Sequence, residues 1–515
     1  MAMRTGIWFV AATVAAAAAV VAGRPARGGD APSSTSLGYL GPAACAPCHE
    51  AVHKAWGASW HAGSVHAVRA TEFPKDALAG QPVRHGPGST TFHREGERVV
   101  AETVGPDGSP HPYPVDYAVG GRRVTMLLTR LPEGRLQVLP AMRDESRGAW
   151  FDYTALIFGA PGLPHEKAPE VAPGDGSFWT GPVRSFEGRC ARCHLAPTLD
   201  PRLGTSPVAV EPERLGLSCE TCHGPGAAHV AFWKASPSSP AGDPIAGSKG
   251  LDPARSMDAC LVCHLEGEVV APGWSPGKPV LEHVDPTLLD DPDRVDAAGR
   301  PVELIYEGLQ ILASTCAIEG ALRCTSCHDV HGTDRVAMLK ADPRGTDLCA
   351  GCHAKQAADP RSHSRHDPQG SGALCVACHM PPVAVERGNG HVTDHTLGVP
   401  RPELTGAVAG RAIDACTGCH TGARGFPANV PRMAQERIVE SYEAWFPRAR
   451  RRPSWSAAIA AGRGAATPAS RQAVEGLLAA PTAPEVVRAS AARLLVRHGA
   501  DAMPALKRAL ADPSS

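Results

Sequence analysis

The five-residue pattern Cys-x-x-Cys-His occurs eight times in this chain and uses sixteen of its seventeen cysteines. The pairs are Cys45 and Cys48, Cys190 and Cys193, Cys219 and Cys222, Cys260 and Cys263, Cys324 and Cys327, Cys349 and Cys352, Cys375 and Cys378, and Cys416 and Cys419. Tetrahedral zinc, a dithiol redox centre and thioether attachment of haem all use such pairs, but only the last requires a histidine directly after the second cysteine. Zinc tolerates varied spacers, and a thioredoxin-like site occurs once per domain. Eight copies, none lacking the histidine, point to eight covalently attached c-type haems. Two sulfurs three positions apart reach the two vinyl groups on one porphyrin edge, and the next residue then lies under the iron. His49, His194, His223, His264, His328, His353, His379 and His420 are therefore the expected proximal ligands.

Cofactors attached this way need little protein to hold them. The 515 residues leave about 64 for each haem. Aromatics make up only 5% of the chain, so porphyrins are expected to supply much of the interior. The 54 glycines and 49 prolines, mostly between motifs, favour loops and short helices there. A formal charge of −1 argues against a nucleic-acid partner. At the N-terminus, one positive charge in MAMR precedes an apolar run from Gly6 to Val21 and small or apolar residues at 20–22. This reads as a secretory signal over 1–22. The alternative is an uncleaved anchor that tethers the chain to a membrane, since the run approaches spanning length. Either reading places the haem-bearing part in the periplasm or otherwise outside the cytoplasm, where haem is coupled to such thiols.

The chain divides into the signal, a Pro/Gly/Ser-rich linker over 23–36, a first motif with a haem-free insert over 37–165, a multihaem core over 166–447, and a cysteine-free tail over 448–515. Within the insert RVVAETV, PYPVDYAVGG, RVTMLLTRL and RLQVLP read as β-strands separated by Asp107-Gly108, Gly120-Gly121 and Glu133-Gly134 turns. They predict a small antiparallel meander serving as a lid or contact surface. The Ala/Leu-rich tail has helical spacing, as at Val487, Ala491, Leu494 and Leu495, and resembles HEAT-type repeats. A helical tail docked on its own cytochrome domain and a docking platform for a partner both fit it. The expected fold class is mainly α with long loops, organised around stacked haems, with the β insert and the repeat-like helical end.

Several phrases extend beyond the motifs: YLGPAACAPCH with SWHAGSVH, CETCHGPGAAH, ALRCTSCHDVHG, SHSRHDPQGSGALCVACHMP, and TDHTLGVPRPEL before DACTGCH. With these, residues 37–445 resemble the multihaem cytochromes with doubled CxxCH motifs, related to the hydroxylamine-oxidoreductase and cytochrome c nitrite reductase group. The resemblance implies that flanking histidines serve as distal ligands to neighbouring haems: His61, His229, His331, His363 or His366, and His395, with His165 and His283 as weaker candidates. His53, His66, His85, His93, His111 and His391 are weaker still, and His498 lies in the tail. Met380 follows His379 directly and so sits on the wrong side of that porphyrin. Mostly bis-histidine, low-potential haems are expected.

The sequence also departs from the enzymes of that group. No motif ends in lysine, which counts against nitrite reduction, and none of the six tyrosines is identifiable as a haem cross-link. Cys316 is the one cysteine outside the motifs, read as a buried inert thiol, with a haem ligand or sensor as the alternative. The favoured function is electron carriage between redox partner proteins. The alternative is an oxidoreductase with one open haem acting on a small nitrogen or sulfur compound such as hydroxylamine or nitrite, and a third reading makes the tail the purpose, as a docking protein. Mass spectrometry of protein matured in a competent host is expected to show eight covalent haems, and a mass corresponding to six or fewer would contradict the motif count.

Overall fold

The computed structural model describes residues 38–86, 88–154, 171–196, 214–235, 240–246, 250–302, 307–319, 322–384, 391–405, 414–422, 430–447 and 454–511. The signal, the linker and His165 lie outside them. Among the described residues, no helix is long and apolar enough to cross a membrane.

The haem-free insert forms two antiparallel sheets, where the sequence suggested one meander. Strands β1 (Val65–Ala67), β2 (Val83–His85), β3 (Gly88–Glu95), β4 (Arg98–Val104), β5 (Pro110–Pro114), β6 (Tyr117–Gly120), β7 (Val124–Arg130), β8 (Leu136–Asp144) and β9 (Ala149–Asp152) divide into the orders β2-β3-β4-β5 and β1-β6-β7-β8-β9. The run PYPVDYAVGG supplies strands to both sheets. At its middle, the Val115 amide donates to Val99 O at 2.9 Å and the Asp116 amide to Leu128 O at 2.9 Å, so consecutive residues bond to different sheets. Asp116 fixes this corner by accepting from the Arg130 amide at 2.8 Å. Asp107-Gly108 and Gly120-Gly121 turn where expected, all three glycines having positive φ.

The strand period of two explains what the insert does for the motif that follows it. On β8, Leu139 and Ala141 face a core shared by both sheets with Phe73, Phe92 and Trp179. Leu136, Val138 and Met142 face the other way, against Phe186, Ala191 and Leu195. The second motif therefore sits on the back of the second sheet. Ser185 caps Phe186–Arg189 by accepting from the Gly188 amide at 3.1 Å, and Glu187 Oε1 accepts from the Leu136 amide at 2.8 Å. These bonds pin the helical turn that carries Cys190 to His194. The insert, expected as a lid or contact surface, is thus a platform for one motif.

The later motifs have little apolar core around them. Among described residues from 322 to 447, the buried apolar side chains are Met338, Ala373, Val383, Val392, Ala415, Ile438 and Tyr442. Apart from Gln435–Trp445, the helices described here are one or two turns long, such as Cys324–Cys327, Cys375–His379 and Ala415–His420. So few buried side chains cannot offset the ordering of this much backbone.

The tail is helical over Ser456–Arg463, Pro468–Leu478, Glu485–Leu495 and Met503–Ala509. Thr467 caps the second helix by accepting from the Ser470 amide at 3.1 Å, with Pro468 in the first turn, where its missing donor costs nothing. Ile459, Val474, Val487, Leu494 and Leu495 share one apolar core with Leu261, Leu265, Leu288, Leu289 and Leu309. Gly462 is required there, because a Cβ would stand 2.8 Å from Val474 and 2.9 Å from Leu494. Arg463 donates to Leu289 O and Val295 O, and the Leu289 amide donates to Ser490 Oγ at 3.0 Å. The tail is docked on its own chain, behind the fourth motif. Leu494→Ala is expected to lower stability by about 2–5 kcal/mol in chemical denaturation. Leu510→Ala, at a side chain 80% exposed, should stay within about 0.5 kcal/mol.

Candidate functional site

Each motif folds as a single helical turn. Outside the longer helices, the histidine amide closes back on the first cysteine carbonyl, from His49 to Cys45 at 3.0 Å, His194 to Cys190 at 2.9 Å, His328 to Cys324 at 3.0 Å and His353 to Cys349 at 2.8 Å. This turn brings residues three and four apart to one face, so both sulfurs and the imidazole point the same way. Residues of the second to eighth motifs line one continuous cavity of about 2990 Å³. A pocket for a single small ligand holds about 300–1,000 Å³, so the space suits several large flat groups.

Five motif histidines face a flanking histidine across a gap. The ring centres are 6.3 Å apart for His49 and His229, 6.2 Å for His223 and His331, 6.5 Å for His328 and His395, 6.2 Å for His379 and His363, and 6.1 Å for His420 and His366. Interplanar angles run only from 10° to 29°. Two imidazoles on opposite sides of one iron, each nitrogen about 2.0 Å from it and each ring centre about 1.1 Å further back, stand about 6.2 Å apart. The other aromatic contacts scatter more widely in distance and angle, for example 4.8 Å and 87° between Tyr113 and Trp179. The residues therefore fit the haem that the motifs require.

The hydrogen bonds select the nitrogen that could bind metal. Nδ1 of His223 donates to Ala246 O at 2.7 Å, of His328 to Ala337 O at 2.8 Å, of His379 to Gly398 O at 2.9 Å, and of His420 to Pro431 O at 2.9 Å. On the facing side, His366 donates to Ser364 O at 2.7 Å, His395 to Thr393 O at 2.8 Å, and His229 to Asp243 Oδ1 at 2.7 Å. A proton held on Nδ1 leaves the Nε2 lone pair for a metal. No such ligand set converges at a point: among the described residues, no three His, Cys, Asp or Glu side chains form a cage for a bare ion.

His61, His194 and His264 form a second cluster. Burial, then the charge of His264, holds His61 down to about 4, and burial with His264 and His61 does the same for His194. Both stay neutral, as a metal ligand must. Glu307, which nothing in the sequence marked, lies with Oε2 3.5 Å from Nδ1 of His264. Burial alone would raise its carboxyl, but His264 outweighs burial and brings it to about 2, and Glu307 in turn lifts His264. His353 lies close enough to His363 for their charges to interact. His283 is buried away from the cavity, donating to Ala271 O at 2.8 Å. His85, His93 and His111 are occupied within the sheets by Thr90 and Thr103, Glu95, and Asp107. Cys316 lines the cavity wall.

The motif cysteines meet in a definite order. Cys45 hydrogen-bonds Cys219, Cys193 lies against Cys263, Cys260 hydrogen-bonds Cys324, and Cys349 hydrogen-bonds Cys375. Cys222 lies near Cys260 and Cys263, Cys327 near Cys352, and Cys378 near Cys416 and Cys419. The motifs thus succeed one another as first, third, fourth, fifth, sixth, seventh and eighth, with the second branching from the fourth. Burial chiefly pushes the Cys45 and Cys190 thiols up to about 12, which keeps them protonated in the bare polypeptide. Glu220 ties the first motif to the third, accepting from the amides of Leu40 at 3.0 Å, Gly41 at 2.7 Å and Gly226 at 2.7 Å.

Comparison with known proteins agrees with this site. Residues 317–358, which span the fifth and sixth motifs, match the family described as the doubled CXXCH motif. The chain is 24% identical over 218 residues to the multiheme cytochrome MtrA of Shewanella baltica, a match covering 41% of this chain and 44% of the relative. It thus spans less than half the length of that relative. Among solved structures, the outer cell wall cytochrome OcwA overlays 92% of this chain and 99% of its own, with 17% identity and a TM-score of 0.49. The octaheme sulfite reductase MccA of Wolinella succinogenes overlays 92% and 84%, with 14% identity and a TM-score of 0.38. The chain is a multihaem c-type cytochrome, binding its haems covalently through paired CxxCH motifs. Substituting His331→Ala is expected to convert one haem from low to high spin in the EPR spectrum while covalent haem content is unchanged. An unaltered spectrum would place His331 outside the coordination of any iron.

Proposed function

We propose that this chain is an exported electron-transfer protein that holds eight haems, at least five of them between two histidines. The observation that carries the reading is the set of five facing imidazole pairs, each joining a motif histidine to one from elsewhere in the sequence. The haems, when bound, supply reversible one-electron chemistry. The chain's own residues would hold these five haems from both sides, with the described Nδ1 bonds fixing imidazole tautomers, and they bring successive motifs together so that no centre stands apart. His61 would supply a further axial position between the second and fourth motifs, near His194 and His264.

Export rests on the apolar N-terminal run and on the maturation that CxxCH motifs demand. Redox partner proteins are the expected donors and acceptors. The tail, read as HEAT-like, acts first as a brace for the fourth-motif region, since its apolar face is already covered by 257–313. Reduced protein is expected to take up no carbon monoxide at the five facing-pair centres and to turn over neither hydroxylamine nor nitrite. Stoichiometric carbon monoxide uptake by one haem, accompanied by turnover, would replace the electron-transfer reading with that of an enzyme.

A further inference from the structure

Among the Nδ1 hydrogen bonds described for the five facing pairs, six end on backbone carbonyls and one on a carboxylate, from His229 to Asp243. Asp243 is fixed for this contact. Its Oδ1 also accepts from the Ile245 amide at 3.2 Å, and its Oδ2 accepts from Trp233 Nε1 at 2.9 Å. His229 and Trp233 lie on one helix, Ala227–Ala235, so a single carboxylate spans two positions one turn apart. The side chains of His229 and Asp243 are 19% and 17% exposed, which shields the contact from water.

A hydrogen bond to a carboxylate is roughly twice as strong as one to a neutral acceptor. It draws the Nδ1 proton away from the ring, so the opposite nitrogen becomes a stronger donor to metal. A stronger donor favours ferric over ferrous iron and lowers the reduction potential. We propose that Asp243 makes the centre between His49 and His229 the lowest in potential of the five facing pairs. This centre also belongs to the end of the motif succession, where Cys45 meets Cys219 and Cys48 is exposed. An electron delivered there would pass to the neighbouring centre between His223 and His331, where the described Nδ1 bond ends on the Ala246 carbonyl, so Asp243 directs the first step away from the first motif. Asp243 is in this account a positioning residue that acts through His229.

The proposal rests on His229 being an axial ligand, and the experiment separates the two. Haem-loaded wild-type, Asp243→Asn, Asp243→Glu and Trp233→Phe proteins are compared by spectroelectrochemical titration and EPR. In Asp243→Asn, the spin states are expected to stay as in the wild type while one low-potential midpoint rises. The rise expected is at least tenfold in the reduced-to-oxidised ratio at fixed potential, or about 59 mV for one electron. Asp243→Glu restores most of the shift, and Trp233→Phe, which keeps the carboxylate, moves it little. Unchanged midpoints in Asp243→Asn with an unchanged low-spin spectrum overturn the role of Asp243. So does a shift confined to the highest-potential centres. If His229→Ala leaves the spin state unaltered, the ligand assignment itself fails.

Discussion

Imidazoles held face to face from distant parts of the chain are the constraint on which the rest of this structure depends. Each facing pair joins a motif to a flanking segment elsewhere, His49 to the Ala227–Ala235 helix and His328 to the stretch after His391–Thr393. Under the proposed ligation, with two thioethers and two axial nitrogens converging on one cofactor, the tertiary contacts that side-chain packing makes in most proteins would be made by ligands. This accounts for the scarcity of buried apolar residues among those described between 322 and 447. It also accounts for helices far shorter than those that are stable alone.

Conventional cores are built mainly by the insert and the tail. The two sheets bury Phe73, Phe92, Trp179 and Leu139 at one end of the molecule's sequence, and the tail helices bury Val487, Leu494 and Leu495 at the other. Both end against motif-bearing segments. β8 buries its even-numbered face on the helical turns of the second motif, while the tail covers the helix Pro253–His264 that ends in the fourth. The second and fourth motifs are also the pair whose cysteines meet at the branch in the succession. The branch is thus held from both sides by ordinary packing, whereas the fifth to eighth motifs depend on their cofactors.

Much of the site was legible because its chemistry is local in sequence. CxxCH fixes two attachment points and one ligand within five residues, and the flanking histidines His229, His331, His363, His366 and His395 stand out beside the motifs they accompany. The pairing was not legible: His363 and His366 are three residues apart, yet they face His379 and His420 respectively. Asp243 and Glu307 carry no pattern, since a lone acidic residue in a loop is ordinary until folding sets it against a particular nitrogen. In the insert, PYPVDYAVGG alternates well enough to read as one strand, and only the diverging bonds of Val115 and Asp116 show that it serves two sheets. Strand β1 escaped notice because three residues are too few to show a period.

The carboxylate of Glu220 bears on the order in which the molecule can be completed. It holds the amides of Leu40 and Gly41, which lead into the first motif, from a position 180 residues further along the chain. The same later stretch supplies His229 and Asp243. Synthesis runs from the N-terminus, so Cys45, Cys48 and His49 emerge long before any of these three residues exists. Under the proposed export and ligation, the first motif would meet its haem outside the cytoplasm ahead of these residues, with one axial side and its approach backbone unsatisfied. The N-terminal centre is therefore begun first and closed late, passing through a half-built interval that the shorter loop between His363 and His379 scarcely has.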